Sequence, residues 1–129
     1  MKNIKKIILV TLTIISSFHT VIGQEKSELD LITSGKWYLE SFENDGEKKI
    51  YSEELKDNNW MRFHSDGKHE VMSFSYLDSG EWQLSNNKKK IKMINKGRVL
   101  IYEIIKVNEN KMILKREEDD IQFIMGFKK

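Results

Sequence analysis

Trp60-Met61-Arg62-Phe63-His64-Ser65-Asp66-Gly67-Lys68-His69-Glu70-Val71-Met72-Ser73-Phe74-Ser75-Tyr76 is the stretch that decides the fold. Two runs rich in aromatic and apolar residues flank Asp66-Gly67, a dipeptide suited to a two-residue hairpin turn. A turn of that length fixes the register: Ser65 faces Lys68, His64 faces His69, Phe63 faces Glu70 and Met61 faces Met72. Met61, Phe63, Met72, Phe74 and Tyr76 then share the predicted inner side of the ribbon, with Glu70 near its rim. Trp60, Arg62, His64, His69, Ser73 and Ser75 share the other side.

The same texture extends in both directions. Runs at Lys36–Phe42, Trp60–His64, Lys68–Tyr76, Gly80–Leu84, Lys90–Ile94, Val99–Val107, Lys111–Arg116 and Ile121–Lys128 make eight candidate strands. Their regular spacing between turn-forming residues is the all-β pattern. Short connections such as Asp78-Ser79-Gly80, Asn95-Lys96-Gly97 and Asn108-Glu109-Asn110 leave no room for parallel crossovers, so neighbours are antiparallel. The exception, Glu43–Asn59, holds Asn44-Asp45-Gly46 and the helix-compatible Ser52-Glu53-Glu54-Leu55, and reads as a long loop able to cover a barrel mouth. Glu25–Thr33 reads as a short amphipathic helix ahead of the first strand. Alternation also groups Trp37 with Leu39, Trp82 with Leu84, Ile91 with Met93, and Phe123 with Met125 and Phe127. In Val99–Val107 and Lys111–Arg116 both faces are apolar, and periodicity does not choose between them.

Charge and composition remove several classes of function. Lys2, Lys5 and Lys6 precede the apolar Ile7–Ile15 and then Val21-Ile22-Gly23, the layout of a cleaved export signal, so residues 1–23 are read as a leader and 24–129 as the domain. The remaining chain has 19 basic against 20 acidic residues. That balance argues against nucleic acid as a partner. There is no cysteine. Thiol catalysis, cysteine-ligated zinc and a lipidated leader are therefore excluded, and stability must come from the core and barrel closure. The expected location is the periplasm or the outer surface, with no transmembrane span left after cleavage.

Gly35-Lys36-Trp37 on the first strand, Phe63-His64-Ser65-Asp66-Gly67 closing the second, Gly80-Glu81-Trp82-Gln83-Leu84 on the fourth, and Tyr102-Glu103-Ile104 followed by Leu114 resemble the lipocalin-like (calycin) families, in particular their short exported Bacteroidetes members. The resemblance covers about Leu31 to Lys129. It implies an eight-stranded antiparallel up-and-down barrel with Gly35 and Trp37 in structural roles, Trp37 packed across a closed end. It also implies a late basic residue stacked on Trp37, for which Arg116 and Lys128 are the two candidates, and small apolar ligands.

Met61, Phe63, Met72, Phe74, Tyr76, Trp82, Phe123 and Met125 are the candidate ligand-binding residues. The methionines would adapt to an irregular ligand, and Tyr76 would offer a polar handle. Their other reading is plain core, since eight-stranded barrels can be filled by side chains alone. His64 and His69 face each other in the predicted register, but two histidines and Asp66 do not close a metal site. His64-Ser65-Asp66 holds triad residue types whose alternating directions preclude a relay. Glu53-Glu54 and Glu117-Glu118-Asp119-Asp120 read as solvated loop charges, and Lys88-Lys89-Lys90 with Lys92 as protective surface charge. No catalytic residue, metal or cofactor is expected. The functional expectation is a non-enzymatic exported carrier of a small apolar ligand; the alternative is a filled barrel that engages a protein partner, as an inhibitor or immunity-type module, through its loops.

Overall fold

The computed structural model describes residues 26–51 and 57–129. The leader and the Ser52–Leu55 segment lie outside these residues. Among the described residues, a short helix α1 (Glu28–Ile32) precedes nine strands: β1 (Lys36–Asn44), β2 (Glu47–Ile50), β3 (Asn59–Phe63), β4 (Lys68–Ser73), β5 (Tyr76–Leu84), β6 (Lys90–Asn95), β7 (Arg98–Val107), β8 (Lys111–Glu118) and β9 (Ile121–Lys128). Each of β3 to β8 pairs antiparallel with the next, β1 pairs with β3, and β9 returns to β1. Eight strands thus close an up-and-down barrel, as the sequence predicts, and β2 is a flap paired with β1.

The flap arises from Asn44-Asp45-Gly46, read from sequence as part of a loop. Asp45 and Gly46 have φ of 50° and 93° between the paired Asn44 and Glu47, the positive-φ conformation of a tight primed hairpin turn. Phe74-Ser75, Lys96-Gly97 and Asp119-Asp120 also have positive φ at both positions, and each links two consecutive strands. Up-and-down order places all four of these turns at one end of the barrel.

The other end is closed. Ser27 caps α1 by accepting the Asp30 N–H at 3.2 Å, with Glu28 and Asp30 suited to the positive end of the helix. The helix delivers Ile32, fully buried, to the barrel floor. Trp37 Nε1 donates to the Ile32 carbonyl at 3.0 Å, so the plug and the first strand hold each other. Trp37, Met61, Phe63, Trp82, Ile91, Met112, Leu114 and Phe127 form the core of this half. The side chain over Trp37 is neither Arg116 nor Lys128 but Lys129, whose Nζ stands 4.3 Å from the ring centroid.

The predicted β3–β4 register is off by one. Observed pairs are Met61 with Val71, Arg62 with Glu70, and Phe63 with His69. The loop has three residues, not two: Gly67 N–H donates to the His64 carbonyl at 3.1 Å, and His64 N–H to the Lys68 carbonyl at 2.8 Å. Gly67, at φ 91°, takes up the extra residue as a bulge. One added residue inverts every side chain of β4 relative to the expectation. His69 and Val71 point inward; Met72 points outward opposite Trp60. The next turn is also displaced. It lies at Phe74-Ser75, while Asp78-Ser79-Gly80 is continuous strand.

Candidate functional site

The barrel interior is not uniformly filled. At the open end, a cavity of about 400 Å³ lies against the inner faces of β4 to β7. The β8–β9–β1 side of that end is occupied instead by Phe42, Phe123 and Arg116. The two rings are 5.8 Å apart, and the guanidinium lies 5.0 Å from Phe123 and 5.8 Å from Tyr102. Arg116 also pairs with Glu118. Burial raises the Tyr102 phenol above its usual range, and the nearby Arg116 opposes that rise.

The cavity wall is apolar at Val71, Met93 and Leu100 and polar elsewhere. On the β4–β5 side stand His69 and Asp78. His69 is 2% exposed, and its Nδ1 donates to the Glu81 carbonyl at 2.9 Å. The neutral ring then presents Nε2 as an acceptor. Burial holds the imidazole below the usual histidine range, against the Glu81 carbonyl and the Asp78 carboxylate, which favour the charged form. The Asp78 carboxylate accepts from Asn95 Nδ2 and from the Ser79 N–H. On the opposite side, the β6–β7 turn brings Lys96 and Arg98 to the mouth. Neither cation makes a salt bridge with a described residue.

Of the eight candidate residues from the sequence, Tyr76 lines this cavity, at its lip and 67% exposed. Met61, Phe63 and Trp82 are buried in the closed half. Met125 packs on that core, and Phe123 stacks on Phe42. Met72, predicted inward, lies on the outer face; Phe74, predicted inward, is 75% exposed in a turn. The register shift explains both. His69, Asp78, Asn95 and Arg98 were not foreseen as pocket residues. A three-residue reading of Ser65-Asp66-Gly67, with glycine in the bulge position, would have turned His69 inward.

The two histidines separate. His64 turns outward, its Nε2 2.6 Å from Glu70 Oε1, while His69 enters the barrel. Among the described residues there is no cluster of three or more groups able to hold a metal.

An eight-stranded antiparallel barrel, plugged by a helix at one end and open to a small cavity at the other, defines the lipocalin-like class. The model of the lipocalin-like domain matches residues 33–114, and the chain belongs to that family. Two solved structures have the same fold. A lipocalin-like protein from Bacteroides uniformis is 16% identical with a TM-score of 0.56, over 78% of this chain and 98% of that one. A DUF4847 family protein from Bacteroides vulgatus is 11% identical with a TM-score of 0.54, over 77% and 96%. No curated protein matches the sequence. No helix among the described residues is long and apolar enough to cross a membrane.

Proposed function

We propose that this protein is an exported, non-enzymatic binding protein that takes a small ligand with an apolar body into the open end of its barrel. The observation that carries the reading is the cavity of about 400 Å³ beside Val71, Met93 and Leu100, within the size range of small-molecule sites. The closed half supplies rigidity and the open half supplies space. Export rests on the basic and apolar leader of residues 1–23, and the periplasm or outer surface is the proposed location.

Native mass spectrometry after gentle purification from the source organism tests it. A reproducible bound small molecule, lost when Leu100→Trp fills the cavity, is the expected result; a ligand-free protein that takes up no apolar probe overturns it. Intact-mass analysis beginning at Gln24 supports cleavage, and Met1 retained in the membrane fraction refutes it. A second reading, a protein-interaction module, draws on Phe74 and Leu77, 75% and 51% exposed beside the mouth. A stable protein complex that survives Leu100→Trp but not Phe74→Ser would favour it.

A further inference from the structure

The polar groups of the cavity are segregated by strand. Two acceptors stand on one side: the Nε2 of a neutral His69 and the carboxylate of Asp78. Two cations, Lys96 and Arg98, stand on the other. A ligand that is only apolar would cover the His69 Nε2 and the two cations without offering them partners, and desolvating polar groups unpaired is costly. A ligand with one charged head would satisfy one wall and leave the other.

We propose that the cavity takes an amphoteric small molecule: a compact aromatic or aliphatic body with a hydrogen-bond donor, such as an amine or ring N–H, toward His69 and Asp78, and an acidic group, carboxylate, sulfonate or phosphate, toward Arg98 and Lys96. This assignment rests on the cavity being the binding site. The Asp78–Asn95 hydrogen bond ties β5 to β6 and fixes the acceptor side before the ligand arrives. Arg98 lies opposite Asn95 across β6–β7, so the acidic group meets a side chain anchored one pair away from that bond. Val71, Met93 and Leu100 cover the body between the two heads. His69 adds a condition: its protonation would replace an acceptor with a donor and repel the ligand's donor end. The charged groups that face the cavity with it are Asp78 on β5 and Lys96 and Arg98 at the β6–β7 turn.

Four probes separate the terms in isothermal titration calorimetry: naphthalene, a naphthylamine, a naphthalenesulfonate, and an aminonaphthalenesulfonate with its two groups at opposite ends of the rings. The double-headed probe should bind at least tenfold more tightly than either single-headed one. Arg98→Gln should reduce it to the level of the naphthylamine, and Asp78→Asn to that of the sulfonate. Naphthalene affinity should not fall in either variant, and a near-ultraviolet circular dichroism spectrum and urea midpoint like the parent's show that each has folded. Equal affinity for naphthalene and the double-headed probe overturns the amphoteric assignment and leaves the binding-protein reading standing. Failure of all four probes to bind overturns both.

Discussion

The ring of His69 occupies the space that the missing side chain of Gly80 leaves inside the barrel. These residues are cross-strand partners, and a Cβ on residue 80 would stand 2.8 Å from His69 Cε1 and 2.2 Å from the Ile94 carbonyl oxygen. One obstacle is a buried ring and the other is backbone, so neither can yield cheaply. Gly80→Ala should therefore destabilise the fold by about 1–3 kcal/mol, the usual range for overpacking. Urea unfolding of the variant would show a lower midpoint; a midpoint equal to the parent's would mean that β5 can shift away from β6 without cost.

The same burial makes stability depend on pH. His69 has its folded-state pKa pushed below the ordinary value, with burial as the leading cause. The unfolded chain then binds its proton more readily. This contribution to stability is complete above the unfolded pKa of about 6.5. It is lost progressively as pH falls from there toward the lowered folded value. Urea midpoints measured between neutral pH and about pH 5 should decline, and His69→Gln should flatten that part of the curve. An unchanged decline in the variant would assign the effect to another group.

Much of this was legible in the sequence because a barrel writes its architecture in local signals. The alternation at Trp37 and Leu39 and at Trp82 and Leu84, with turn residues between runs, is enough to give eight antiparallel strands. The position of the cavity depends on parity, and parity hangs on single turns. Asp66-Gly67 suits a two-residue turn, yet Ser65 joins the loop and inverts β4. Phe74-Ser75 carries no glycine or asparagine to announce its positive φ, so the true turn was invisible and Asp78-Ser79-Gly80 took its place. Asp78 and His69 were thus assigned to a turn and an outer face, and the polar lining of the cavity disappeared from view. The packing of Trp37 across the closed end, implied by the family resemblance, does not depend on that register.

On the outer wall, Glu40 gathers two cations, one from β8 and one from β9. Its carboxylate lies 2.7 Å from Lys111 Nζ and 3.9 Å from Lys128 Nζ, and the hydrogen bond to Lys111 is the first cause that holds its pKa below the usual carboxylate range. The carboxylate is about a third exposed and Lys111 about half, so water screens the pair and Glu40→Gln should cost no more than about 1 kcal/mol. The sign follows from the lowered pKa: the contribution is present above the unfolded value of about 4.3 and fades as pH falls through the folded one. The difference between parent and variant in urea midpoint should be small at neutral pH, shrink with added salt, and vanish in acid. A difference insensitive to both would place its origin in packing.

Trp37 and Lys129 provide the sharpest test of the closed end. Trp37 is fully buried, hydrogen-bonded to Ile32, and carries the Lys129 ammonium 4.3 Å above its ring. Trp37→Ala should cost about 3–5 kcal/mol, enough to threaten a small domain. Lys129→Gln removes only the cation, worth about 0.5–1 kcal/mol where water still reaches it. Gly35 lies beneath the same ammonium: a Cβ there would stand 3.3 Å from Nζ, and its φ is 149°. A lysine end can swing aside, whereas the backbone cannot relax from that φ without moving the strand that carries Trp37. Gly35→Ala should therefore cost about 1–3 kcal/mol through backbone strain. Most of that cost should remain when Lys129→Gln is already present, as a double-mutant cycle in urea would measure. If the cost disappears in the Lys129→Gln background, the glycine serves to seat the ammonium, and the backbone explanation fails.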